Sequence, residues 1–192
     1  MDMTHTRDID DTTAVTEVRY PLDDLRRFTV SALVAGGLDR ERAVQAAEIL
    51  LLADLRGVAS HGLGRLAGYV SRLQRGFDRA DARLEVDRET PCTLALNGNF
   101  GLGLLIGPEA MRRTIAKAKD VGICMTTVRN SNHFGIAGTY ACMAAAEGLG
   151  GMAMTNASRL VVPTFAREPR LGTNPIAFAV PTSGDPFVLD MS

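Results

Sequence analysis

Tryptophan is absent from this chain of 192 residues, aromatic residues make up 5% of it, and only three histidines and three cysteines occur. Each shortage narrows the chemistry. Cys92, Cys124 and Cys142 are odd in number, widely spaced and set in apolar runs. They read as buried thiols in a reducing compartment, not as a disulfide frame or a zinc knuckle. Neither sign of charge dominates, since 21 lysines and arginines face 22 acidic residues, so there is no electrostatic case for nucleic acid or an anionic membrane surface. No apolar run approaches the ~20 residues of a spanning helix. The first stretch of chain is acidic and threonine-rich, without the apolar centre of a secretory signal. The expected setting is the cytoplasm. No G-x-S-x-G elbow offers a serine nucleophile, and no H-x-H or H-E-x-x-H pair offers a metal its first two ligands.

What is present is ordinary globular material, 46% hydrophobic and 22% charged. Residues 1–19 lack apolar periodicity and read as a disordered tail, which makes His5 idle. Leu22, Leu25, Phe28, Val30 and Leu33 recur at nearly helical spacing behind Pro21, so a helix is expected over 21–35 and ended by Gly36 and Gly37. Asp39 can cap a second helix through Leu55, apolar enough for a core position. Gly57 breaks it. A loop over 58–62 and a third helix over 63–73, carrying Arg65 and Tyr69, complete a helical segment over 20–80.

The rest, 81–192, reads as a partial α/β domain. Residues 75–89 are charged and look like surface, 91–97 alternate like a strand, and 97–103 form a turn-rich connection. Pro108 suits the first turn of a helix through Lys119. Strands are expected over 122–128, 151–155, 175–180 and 187–189, with an alanine-rich helix over 136–147. Helices followed by alternating strand and helix predict a mixed α/β fold. The chain stops at Leu189-Asp-Met-Ser192, straight after a strand-like run, and so reads as truncated.

The chemistry gathers around the two remaining histidines. Val128-Arg-Asn-Ser-Asn-His-Phe-Gly-Ile-Ala-Gly138 lies where a strand gives way to a helix, a place where α/β proteins present reactive groups. A helix N-terminus there would lower the pKa of His133. As a purely structural element, His133 would satisfy loop backbone. Upstream, Ser60-His61-Gly62 has two readings as well: Ser60 caps the next helix, or a hydroxyl-flanked imidazole serves as general acid near neutrality. Asp190 at a strand end is a candidate to orient His61. Arg65, one helical turn after His61, could grip a substrate carboxylate at two points. Gly101-Leu-Gly103-Leu-Leu-Ile-Gly107 approaches a dinucleotide turn, but close packing accounts for it better, because no ribose-binding acid follows the next strand.

Five segments, Ala53-Asp-Leu-Arg-Gly-Val-Ala-Ser-His-Gly-Leu-Gly-Arg65, Val128-Arg-Asn-Ser-Asn-His-Phe-Gly135, Thr155-Asn-Ala157, Leu171-Gly-Thr-Asn-Pro175 and Val188-Leu-Asp-Met191, resemble in order the malate/L-lactate dehydrogenase family. That family of NAD(P)-dependent oxidoreductases also holds ureidoglycolate, sulfolactate and diketogulonate enzymes and cyclic-imine carboxylate reductases. The resemblance runs from about Leu22 to the end and covers only the N-terminal part of the family's length. It implies a non-Rossmann, largely antiparallel sheet flanked by helices, a homodimer, NAD or NADP as cofactor, and a small 2-hydroxy, 2-keto or cyclic imino acid as substrate. By the family's motif His61 would carry the proton, with Ser60 and Asp190 as relay partners and Arg65 on the substrate carboxylate. Some members give the proton to the histidine matching His133. His133, Phe134, Gly135, Ile136 and Ala137 would lie against the cofactor, joined by Thr173, Asn174, Pro175, Asp190, Met191 and Ser192. Two alternatives stand beside this: a catalytically silent fragment that dimerises or binds a partner, and a metal-dependent hydrolase or lyase using His61, His133 and Asp190.

Overall fold

The structure is a computed structural model that describes residues 18–191. The expected tail, His5 included, lies outside them except for Val18 and Arg19, and so does Ser192.

Three helices come first: α1 (Leu22–Ala35), α2 (Arg40–Leu55) and α3 (Leu66–Gln74). Pro21 stands at the α1 N-cap, and its carbonyl accepts from the N–H groups of Asp24 and Leu25. Asp39 caps α2 by accepting from the Arg42 N–H at 2.9 Å. Helix α2 buries Ala43, Ala46, Ala47, Ile49, Leu50, Leu51 and Ala53 and leaves Glu41, Val44, Gln45, Glu48 and Leu55 exposed along one stripe. Its broad apolar face supplies the centre of the first core cluster, while its polar residues keep to the stripe left in water. The third helix begins later than expected. Residues 59–65 form two short 3-10 turns instead, Ala59–His61 and Leu63–Arg65. The cause is Asp54, whose carboxylate accepts from the Leu63 N–H at 2.7 Å and pins this stretch to the end of α2.

Strands β1 (Glu85–Thr90), β2 (Thr93–Gly101) and β3 (Met125–Ser131) form one sheet in the order β1-β2-β3, antiparallel and then parallel. Strand β1 falls where only charged surface was expected. It is an exposed edge strand, so its sequence shows no apolar alternation to betray it. The expected turn over 97–103 is also a strand for most of its length. Asn99 and Phe100 take left-handed backbone conformations, and Asn97 and Asn99 bond each other, so the strand bulges and then resumes with Gly101 opposite Ser131.

Helix α4 (Gly103–Val121) covers this sheet through Ile106 and Ala110, which pack on Leu94 and Leu96. It starts at Gly103, so Pro108 lies inside the helix and not in its first turn. A Cβ on Gly103 would stand 2.3 Å from the carbonyls of Asn132 and His133, and one on Gly107 would meet the Tyr140 ring at 2.6 Å. The glycine spacing serves close packing.

Helix α5 (Gly138–Ala146) then lies on a second sheet of β4 (Gly151–Met154), β5 (Ile176–Val180) and β6 (Phe187–Met191), all antiparallel. Alanines meet across this contact, Ala137, Ala141 and Ala145 against Ala177 and Ala179. The fold is mixed α/β, and its strands, mostly antiparallel in their pairing, divide into two small sheets.

Candidate active site

Tertiary contact turns two distant histidines into one cluster. The rings of His61 and His133 stack with centroids 5.4 Å apart and planes 23° from parallel. His61 comes from the first 3-10 turn. His133 comes from the six-residue connection between β3 and α5, since Asn130 and Ser131 belong to the strand and α5 starts only at Gly138. The Ser60 hydroxyl lies 2.9 Å from His61 Nδ1. Arg65 donates from Nε to the Ser60 carbonyl at 2.7 Å, which holds its guanidinium beside the pair. Neither Nε2 atom, nor the outer guanidinium nitrogens of Arg65, has a hydrogen-bond partner among the described residues.

Asp190 lies near the end of β6 as expected, but its hydrogen bond goes elsewhere than to His61. Its carboxylate accepts from the Gly138 N–H at 2.7 Å and so caps α5, and it makes no hydrogen bond to His61. It reaches His61 only through charge, opposing burial and Arg65, which together hold the His61 pKa below its usual value. His133 is pushed down to about 4. The main cause is burial of the ring, followed by the positive charges of His61, Arg65 and Arg72. A helix N-terminus is not the cause, because α5 begins five residues later and its first N–H is already taken by Asp190.

Four residues without an assigned role prove to hold the turn. Tyr69, 4% exposed, places its hydroxyl 2.5 Å from His133 Nδ1. Arg72 grips the buried Asp78 through Nε at 2.9 Å and Nη2 at 3.0 Å, and also donates to Asn132 Oδ1 at 2.9 Å. The Asn132 amide donates in turn to the carbonyls of Phe77, Phe100 and Gly101. The signal in sequence was the spacing of Arg65, Tyr69 and Arg72 along one side of a helix. What hid it was that His133 and Asn132, which Tyr69 and Arg72 hold, lie some sixty residues further along the chain.

On the expected cofactor side, Phe134 stacks on Tyr140 at 4.8 Å, with planes 6° apart. Ile136 and Ala137 are buried, and Gly135 takes a left-handed conformation (φ 79°) that a side chain would strain. Asn174 is left-handed too, and its Oδ1 accepts from the Ala157 N–H at 2.9 Å, while the Pro175 carbonyl accepts from Thr155. Thr173 precedes this turn and Met191 ends β6. Among the described residues no three His, Cys, Asp or Glu side chains converge as a metal site would require.

The model of the malate/L-lactate dehydrogenase family matches residues 20–192. The chain belongs to this family. A malate dehydrogenase from Pyrococcus abyssi is 48% identical over 175 residues, 91% of this chain and 48% of the relative. A (2R)-3-sulfolactate dehydrogenase (NADP(+)) from Chromohalobacter salexigens is 36% identical over 172 residues, 89% of this chain and 51% of the relative. The solved malate dehydrogenase of Pyrococcus horikoshii superimposes with a TM-score of 0.88 at 48% identity, over 91% of this chain and 50% of that one. The chain thus spans about half the length of the family relatives it matches.

Proposed function

We propose that the chain carries the acid/base half of a nicotinamide-dependent dehydrogenase, acting between a small 2-hydroxy acid and its 2-keto acid, or on a cyclic imino acid. The observation that carries this reading is the stacked His61–His133 pair with Arg65 beside it, all three presenting polar atoms without partners among the described residues. Similarity to malate and sulfolactate dehydrogenases supports the substrate class. As a whole enzyme it would work in the cytoplasm as a homodimer.

When bound, NAD or NADP supplies or accepts the hydride at the substrate's C2. The residues of this chain fit such a group in one specific respect. The Thr139 hydroxyl, in the first turn of α5 and just beyond the 133–137 stretch, is buried without a hydrogen-bond partner among the described residues. Phe134, Gly135, Ile136 and Ala137 would line the cofactor, with Thr173, Asn174, Pro175, Asp190 and Met191 on its other side. Arg65 would hold the substrate carboxylate. In the oxidising direction His61 takes the hydroxyl proton at Nε2 as the C2–H bond breaks. In reduction it returns that proton to the oxygen as the bond forms. A lowered pKa suits the base role, so oxidation should persist to more acidic pH than an ordinary histidine allows and fade as pH falls through the His61 pKa.

His61→Ala tests this directly. Turnover, read as NADH or NADPH absorbance with a panel of 2-keto acids, should fall ~10²–10⁴-fold, the usual worth of a general acid or base. Cofactor binding, read by fluorescence quenching, should change little. Equal turnover in the variant would remove the role. One observation favours a second reading, binding without turnover: the outer face of the β4–β5–β6 sheet is apolar and exposed at Met152, Met154, Ile176, Leu189 and Met191. A chain that associates yet quenches neither cofactor's fluorescence would match that reading instead.

A further inference from the structure

His133 is held on its Nδ1 edge by two groups, and only one of them has a choice of direction. The Tyr69 hydroxyl, 2.5 Å away, could either give or receive a proton. The backbone N–H of Gly135, 3.3 Å from the same Nδ1, can only give. A hydrogen on Nδ1 would crowd the Gly135 hydrogen, so this contact favours a bare Nδ1, although at 3.3 Å it is too long to enforce one by itself. The hydroxyl hydrogen of Tyr69 then points at it as well.

From this geometry we infer that Tyr69 is a positioning residue that fixes the proton of His133 on Nε2. The ring is thereby a standing hydrogen-bond donor toward the open side of the cluster, and His61 is left as the group that exchanges protons. Burial supports the arrangement by raising the Tyr69 pKa well above its usual value, so the phenol keeps the hydrogen it donates. The scaffold supports it too. Tyr69 and Arg72 lie one turn apart on α3, and Arg72 ties Asn132, the neighbour of His133, to the same helix. The ring and its hydrogen-bond donor therefore sit on parts that move together.

The stacked geometry gives the assignment a chemical meaning. Two imidazoles 5.4 Å apart disfavour a second positive charge, and the His61 charge is one of the causes that lower the His133 pKa. With Nε2–H fixed, His133 can polarise a substrate oxygen while staying neutral around pH 7. His61, whose Nδ1 meets only the Ser60 hydroxyl among the described residues, is free to gain or lose a proton at Nε2. Ser60 can accept from Nδ1–H or donate to a bare Nδ1, so it permits both states. The substrate role rests on the dehydrogenase reading above. The location of the proton does not.

The test is therefore made on the chain alone, without cofactor or substrate. In ¹⁵N-labelled protein a long-range ¹H–¹⁵N correlation displays each imidazole, and three histidines make a simple spectrum in which His61→Gln identifies one ring. At neutral pH His133 should show a pyridine-type Nδ1 and a pyrrole-type Nε2. The Tyr69 hydroxyl proton, protected from exchange, should show through-hydrogen-bond coupling to Nδ1. Tyr69→Phe keeps the aromatic packing and removes the donor, so the Nδ1 resonance should move toward the midpoint of a tautomer mixture, with the far-ultraviolet spectrum unchanged. A pyrrole-type Nδ1 in the parent protein, or no coupling from Tyr69, would overturn the proposal, and these two readings stand even if the phenylalanine variant fails to fold. An unchanged Nδ1 in a folded Tyr69→Phe chain would overturn it as well. Loss of turnover alone would bear on the dehydrogenase reading and leave the proton assignment to the spectrum.

Discussion

The turn that carries His133 and the outer face of the β4–β5–β6 sheet are built on opposite terms. In the turn, polar groups are answered inside the chain: Asn132 by Arg72 and three carbonyls, His133 by Tyr69 and Gly135, and the buried Asp78 by both arms of Arg72. On the sheet, the inner face is sealed by alanines under α5, yet the outer face leaves Met152, Met154, Ile176, Leu189 and Met191 exposed. Cross-strand neighbours Met152, Phe178 and Leu189, and again Met154, Ile176 and Met191, make that face continuous. One region is self-sufficient and rigidly held. The other presents the kind of contiguous apolar surface that marks an interaction site.

Substitutions should separate the two regions sharply. The largest effect is expected from Arg72→Ala, which strands the Asp78 carboxylate, 1% exposed, without its cation and releases Asn132. Breaking a buried pair in this way costs about 3–5 kcal/mol. Because the arginine is half-exposed, the lower end applies, to be read from urea denaturation. A loss below about 1 kcal/mol would mean the turn is held some other way. Gly62→Ala comes next. Its Cβ would stand 1.9 Å from Asp54 Oδ1 and push away the carboxylate that holds the Leu63 N–H. Loss of a hydrogen bond to a charged acceptor costs about 1.5–3 kcal/mol, and the stacking of His61 on His133 should loosen with it.

A pH series probes the same turn more gently. His133 titrates near 4 when folded against an ordinary 6.5, so the unfolded chain binds the proton first. Its contribution is complete above pH 6.5 and is lost as pH falls toward 4, diminished by the ring's partial exposure. The urea midpoint of the parent should fall more steeply over that window than that of His133→Gln, and parallel slopes would refute the linkage. The smallest effect belongs to the sheet. Leu189→Ser should alter stability by no more than about 0.5 kcal/mol, as an exposed site does, while lowering the binding of an apolar dye such as ANS. A cost of several kcal/mol would show that the face is covered.

Much of the helical half was legible residue by residue. Pro21 and Asp39 sit at the starts of α1 and α2, and the apolar centre of α2 became the core. Strand β1 was not legible, because Glu85–Thr90 is an edge strand held by backbone pairing and its side chains carry no periodic signal. The bulge at Asn99 and Phe100 reads as a turn in the sequence, since asparagine and glycine mark either one. Asp190 shows the limit for the site. A carboxylate at a strand end suited His61, yet the nearer unsatisfied group was the first N–H of α5.

Sequence alone was enough to name the candidate groups and the family, because both rest on which side chains occur and in what order along the chain. Only the tertiary structure decided that His61 and His133 stack, that Tyr69 and Arg72 hold the second of them, and that Asp190 serves a helix. Those outcomes depend on distances between residues far apart in the chain. Such distances are fixed when α2 is buried and α3 closes against the β3–α5 turn, and local spacing does not encode them.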